Sequence, residues 1–147
     1  MSGLSTLRVR ERGIDMKRVA RAQDIQEWLD CEKALYYTGR DKRWLRDGIV
    51  WQRLIGPEDS KDLIFGIAKL EPEQIHLLHH HEGASELYYV LEGSGKFTLD
   101  EEIIRGTPGT GIYMPPGAKH RIENDGDQTL VFFFAYNLPH YSTILDE

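Results

Sequence analysis

The stretch 76-HLLHHHEGASELYYVLEG-93 decides how the rest of the chain is read. Three consecutive histidines, His79, His80 and His81, precede a carboxylate, Glu86, in a segment otherwise rich in Leu, Tyr and Val. Apolar residues recur with period two after a Gly-containing break, the pattern of half-buried strands and not of a helix. Successive side chains on a strand alternate faces, so His79 and His81 are expected on one face, with His76 and His80 on the other. Two imidazoles one residue apart can grip a single ion. The turn "EGAS" reverses the chain, and the next strand opens with Glu86, followed on its face by Tyr88 and Val90. A carboxylate is thereby placed where a hairpin partner would meet the two histidines.

Outward from this stretch the same texture continues. After "RDG" come "IVWQRLI", "DLIFGIAKL", "GKFTLD", "GTGIYMP", "HRIEN" and "TLVFFFAYN", separated by turn signals such as "GPEDS", "EGSG", "PPG" and "NDGD". About eight strands fall within fewer than 100 residues, a spacing that builds an antiparallel barrel or two-sheet fold. Gly93 and Gly95 are expected in a tight hairpin. Phe132, Phe133 and Phe134 are expected to divide between barrel lining and outer packing. Upstream, 24-DIQEWLDCEKALYY-37 carries Ile25, Trp28, Leu29 and Leu35 at roughly helical spacing behind a capping Asp, and predicts one short amphipathic helix. The segment 109-GTGIYMPPGAKHRIEN-124 delivers a further histidine, His120, from a Pro-Pro-Gly turn at the start of a strand.

Composition narrows the partners. The 147 residues suffice for one domain. A formal net charge of -6 with scattered Lys and Arg argues against nucleic acid. No apolar run approaches the roughly 20 residues of a membrane span and the N-terminus lacks an apolar signal core, so no membrane partner and a cytoplasmic location are expected. The single cysteine, Cys31, leaves no intrachain disulfide and no Cys-based metal cluster, and is read as a thiol on or under the helix. His140 is read as a surface residue.

The two histidine segments together resemble the motifs of the cupin superfamily. HxH, four residues, Glu, six residues, Gly reads here as His79, His81, Glu86 and Gly93. Gly, five residues, PxG, two residues, His, three residues, Asn reads as Gly109, Pro115, Gly117, His120 and Asn124. Six positions before the first histidine, where the family has Gly, this chain has Glu73, beside Pro72. The resemblance implies an all-β, single-domain jelly-roll barrel over residues 47–138, with an N-terminal extension and short helix over 1–46 and a tail over 139–147. It implies a homodimer, and a divalent transition metal held by His79, His81, Glu86 and His120. Iron is favoured for the nitrogen-rich set, with manganese, nickel and zinc as alternatives.

Such a metal would act on a small-molecule substrate as a Lewis acid for a carboxylate or carbonyl, or in dioxygen chemistry. The expected function is therefore a mononuclear metal enzyme of dioxygenase or lyase type acting on a small carboxylate or carbonyl compound. Tyr88, on the face of Glu86, is the candidate catalytic base, because a nearby cation favours the phenolate. HxH, Glu-x-Tyr and a later His are also similar to the small dimethylsulfoniopropionate lyases, in which a tyrosine removes the proton beside a carboxylate held by the metal. In that comparison "TLVFFFAYN" places Phe where those enzymes use a second tyrosine, with Tyr136 further on. A non-catalytic small-molecule binding or sensing cupin is the alternative of another class. A sugar isomerase ranks last, since Ile75, Leu77, Val90 and Ile122 are expected to give the cavity an apolar lining.

Overall fold

The computed structural model describes residues 8–11, 14–17, 19–29, 42–137 and 142–147. A hairpin of β1 (Arg8–Glu11) and β2 (Ile14–Lys17) forms a sheet of its own. The other strands are β3 (Trp28–Leu29), β4 (Val50–Ile55), β5 (Leu63–Leu70), β6 (Ile75–Glu82), β7 (Glu86–Glu92), β8 (Gly95–Leu99), β9 (Glu102–Gly106), β10 (Gly111–Met114), β11 (His120–Glu123), β12 (Leu130–Asn137) and β13 (Ser142–Leu145). They build two antiparallel sheets, a six-stranded one in the order β10-β7-β12-β5-β4-β3 and a five-stranded one in the order β13-β6-β11-β8-β9. This is the expected all-β jelly roll. No helix among the described residues is long and apolar enough to cross a membrane.

The core lies between the sheets and follows strand alternation. Along β12, Leu130, Phe132, Phe134 and Tyr136 are buried while Val131, Phe133 and Ala135 are half-buried. Along β7, Glu86, Tyr88 and Val90 point in and Leu87, Tyr89 and Leu91 point out. A carboxylate thus heads a buried row whose other members are apolar or aromatic. Phe133 packs outside against Phe65.

Four expectations are corrected. Helix among the described residues is confined to short 3-10 turns at Ala22–Asp24 and Lys42–Arg46. Trp28 and Leu29 are extended and pair with Trp51 and Val50 of β4, not helical. Gln52 Nε2 donates to the carbonyls of Ala22 and Ile25, both at 3.0 Å, so the core sheet takes up backbone acceptors that a helix would have used. The remainder of the expected helix, including Cys31, lies outside the described residues, as does His140. The second correction concerns Gly93 and Gly95, which do not close a hairpin, because β7 and β8 belong to different sheets. Gly93 turns a corner between them at φ 71°, where a Cβ would stand 2.4 Å from the Thr129 carbonyl oxygen.

The third correction is that β7 is not the hairpin partner of β6 either. It lies in the facing sheet, so Glu86 reaches the histidines across the core. The fourth is a bulge in β6: His79 faces His120 of β11, but His76 faces Ile122, so β6 carries an extra residue. The extra residue inverts the alternation and brings the His76 ring to 4.4 Å from that of His79. Ile75 and Leu77 consequently leave the cavity and pack with Trp44 and Leu145. Val90 and Ile122 remain in the main core.

Glu73, standing where the family uses Gly, adopts φ 70°, a left-handed conformation costly for a side chain with a Cβ. Asn124 holds the turn in place. Its carbonyl accepts from Glu73 N at 2.9 Å and its own N–H donates to Gln74 O at 3.0 Å. Its buried Nδ2 donates to Leu70 O and Gln128 O, both at 2.8 Å. Glu73→Gly is expected to stabilise the fold by about 1 kcal/mol in urea unfolding by removing the left-handed penalty. Asn124→Ala, which leaves buried carbonyls without donors, is expected to destabilise it by about 3 kcal/mol. Equal effects of the two substitutions would refute this account of the turn.

Candidate metal centre

Each of the four expected ligand residues reaches the cavity for a local reason. His79 and His81 lie on the inner face of β6 beyond its bulge. His120 is launched by the Pro115-Pro116-Gly117 turn, in which Gly117 takes φ 83° and its N–H donates to His81 O at 2.8 Å. That bond ties the turn to β6 and sets His120 directly opposite His79. Glu86 descends from the opposing sheet. One potential ligand atom from each residue lies within 4.8 Å of those of the others. Glu86 Oε2 is 2.9 Å from His81 Nε2 and 3.2 Å from His120 Nε2.

The outer edges of the imidazoles are held as well. His79 Nδ1 contacts Leu77 O at 2.6 Å and His120 Nδ1 contacts Ala118 O at 3.0 Å. A carbonyl only accepts, so each ring carries a proton on Nδ1, and the neutral form of each turns an Nε2 lone pair inward. His81 Nδ1 contacts Thr143 Oγ1 at 3.0 Å. Burial pushes the pKa of His79 well below the ordinary imidazole value, helped by His120, His76 and His81, so its ring is neutral at pH 7. Burial alone would raise the Glu86 carboxyl, but the neighbouring His81 and His120 imidazoles outweigh it and hold it well below the usual carboxylate range.

These groups form one compact buried cluster. Glu86 Oε2 and His120 Nε2 are sealed from water, and no described residue gives either a hydrogen-bond partner. An ionised carboxylate and imidazole nitrogens converging in a space closed to water are costly unless a cation sits among them. Three imidazoles and one carboxylate suit a first-row divalent ion better than magnesium or calcium, so the residues fit the metal that the motifs imply. No feature of the donor set selects one metal.

Tyr88, the expected catalytic residue, is buried next to this cluster, its ring centroid 6.0 Å from that of His120 and 4.8 Å from that of Phe132. Two neighbours were not assigned to the site from the sequence. Tyr136 stacks on His81 with centroids 6.4 Å apart, one strand over from Glu86. His76, expected to face away, is buried beside His79, and its Nδ1 meets Asp47 Oδ2 at 2.7 Å. Asp47 also accepts from Leu77 N at 2.8 Å and Ile49 N at 3.0 Å. The alternation rule would have found Tyr136, since it shares parity with Phe132 and Phe134. Nothing in the sequence announces the bulge that redirects His76.

Comparison with known proteins agrees with this geometry. The family described as Cupin domain matches residues 66–136. An uncharacterized protein of Methanocaldococcus jannaschii is 37% identical over 87 residues, 58% of this chain and 70% of that protein. The oxalate-binding protein of Thermotoga maritima is 36% identical over 73 residues, 50% of this chain and 60% of that protein. A solved structure described as a predicted oxalate decarboxylase from Thermotoga maritima superposes with a TM-score of 0.65 at 25% identity, covering 82% of this chain and 99% of its own. With both motifs on the strands that carry them in a jelly roll, and relatives in sequence and structure, the chain belongs to the cupin superfamily.

Proposed function

We propose that this chain is a mononuclear metal-dependent cupin enzyme acting on a small carboxylate or carbonyl compound by lyase or dioxygenase chemistry, with His79, His81, Glu86 and His120 as ligands. The observation that carries the reading is the convergence of three imidazoles and one carboxylate, each offering a ligand atom within 4.8 Å of the others, with His79, Glu86 and His120 buried. When bound, a divalent ion, iron or otherwise manganese, nickel or zinc, supplies a Lewis acid for a substrate carboxylate or carbonyl oxygen. The substrate class draws support from the relatives named for oxalate, whose two carboxylates are the chemistry such an acid polarises.

The chain's own residues do the rest. Phe132, Phe134 and Val90 exclude water from the inner end of the cavity and strengthen every charge interaction within it. Glu86 offsets part of the cation's charge. Tyr88, beside His120 and packed on Phe132, is the group to take or return a proton at its phenolic oxygen. The alternative of dimethylsulfoniopropionate cleavage with Tyr88 as base gains from Tyr136, a second inward tyrosine at His81. A non-catalytic binder would share the ligands and dispense with Tyr88.

A homodimer belongs to the same proposal. The outer face of the six-stranded sheet exposes Leu87, Tyr89 and Leu91 of β7 and, on the neighbouring β10, Tyr113 at 59%. An apolar patch of this kind on a sheet face suits a second copy.

Elemental mass spectrometry of the purified protein is expected to find about one transition-metal equivalent per chain, lost in His81→Ala and Glu86→Gln. No uptake even after reconstitution would sink the enzyme reading. Tyr88→Phe is expected to keep the metal and lose about 100-fold or more in turnover, in a screen beginning with oxalate, dimethylsulfoniopropionate and small diketones. Unchanged turnover would remove Tyr88 from the mechanism. Leu87→Lys with Tyr113→Lys is expected to convert a dimer to monomer in analytical ultracentrifugation, and a wild type that sediments as a monomer would discard the interface.

A further inference from the structure

The three histidines differ in what holds them. His79 and His120 are braced by carbonyls two residues earlier on their own chain segments, Leu77 O and Ala118 O. These braces come with the local backbone and survive as long as β6 and the turn before β11 do. His81 is braced by Thr143 Oγ1, from a strand 62 residues away. Among the described residues β13 is an edge strand of the five-stranded sheet, hydrogen-bonded on one side to β6 alone. Its register sets Thr143 opposite His81 and Leu145 opposite His79, so it lies along the strand that carries two of the four ligand residues.

We propose that β13 is a latch on the metal centre, with Thr143 as the positioning residue for His81, so that docking of the C-terminal strand and metal binding favour each other. The inference rests on the metal reading above. Polar contacts beyond the ladder fasten the strand. Asp146 Oδ2 meets His80 Nδ1 at 2.7 Å and Asp146 N–H donates to Leu78 O at 2.9 Å. Glu147 Oε1 accepts from Leu78 N at 2.7 Å, and Arg43 donates to Glu147 O at 2.8 Å. Both residues flanking the inward His79, Leu78 and His80, are therefore tied to the last two residues of the chain.

The chemistry of the brace explains the coupling. A carbonyl fixes a tautomer, whereas a hydroxyl either accepts from Nδ1–H or donates to Nδ1. With β13 docked and Oγ1 accepting, His81 turns its Nε2 lone pair into the site, the form a cation requires. Without the hydroxyl, His81 loses that orienting bond, and the Nε2–H tautomer, which places its proton toward Glu86 2.9 Å away, competes with the metal. Linkage then runs both ways: a docked strand raises metal affinity, and a bound metal holds the strand.

The test uses the full-length protein and Zn2+ as the probe, with affinity read by competition against a chromophoric chelator. Thr143→Val, which keeps shape and β-branching, is expected to weaken Zn2+ by about 10- to 100-fold, and Thr143→Ser to restore most of it. Asp146→Asn loosens the strand from its far end and is expected to weaken Zn2+ in the same direction, though less. Hydrogen exchange at the Asp146 amide is expected to slow when Zn2+ is added to the wild type and to slow less in Thr143→Val. Thr143→Val and Asp146→Asn proteins of wild-type affinity, alongside a Glu86→Gln protein that has lost it, would overturn the latch and leave the metal centre standing. A wild type that takes up no Zn2+ would overturn both.

Discussion

Everything around the centre is arranged for three imidazoles and one carboxylate to meet in a buried space. A carboxylate held ionised by the imidazoles beside it is buried in a region from which water is excluded. Such a cluster persists only where the surrounding backbone over-determines each member. The two sheets provide this. Two histidines arrive on one strand, a third on the strand paired with it, and the carboxylate from the facing sheet, so the site closes only when the sheets pack. Folding of the jelly roll and assembly of the candidate ligand set are the same event.

The turns are subordinate to that requirement. Gly117 spends a left-handed conformation to aim His120, and its N–H reaches the His81 carbonyl, joining the two histidine segments by backbone as well as by side chain. The strain at Glu73 is carried by the turn immediately before β6, and Asn124, just past β11, bonds that turn on both sides of the residue. The second motif therefore contributes twice: His120 enters the cavity, and Asn124 anchors the start of the strand that brings the other two histidines.

Period-two alternation was enough to read the buried faces of β7 and β12, and with the motif spacing it brought the four candidate ligand residues to one place. It failed where a non-local interaction overrides the local pattern. The bulge in β6 is a property of its pairing with β11, so His76 could not be assigned a face from its own neighbours, and Ile75 and Leu77 were assigned the wrong one. Ile25, Trp28 and Leu29 satisfy a helical spacing, yet the unpaired edge of β4 offers backbone partners that an isolated helix lacks. The partnership of Asp47 with His76 spans 29 residues and that of Thr143 with His81 spans 62, and neither leaves a trace in sequence.

These long-range braces bear on how the site is reached. The His81 side chain is 12% exposed, against 3% for His120 and for Glu86, so His81 forms the rim of the cluster while the others form its floor. Tyr136 lies over the same ligand. A molecule approaching the cluster therefore meets the histidine whose orientation depends on the C-terminal edge strand before it meets those fixed by their own backbone. The floor needs rigidity, because it must hold a carboxylate and two imidazoles together away from water. The rim can be set by a separable strand without endangering the core, and that division places adjustability at the entrance and permanence behind it.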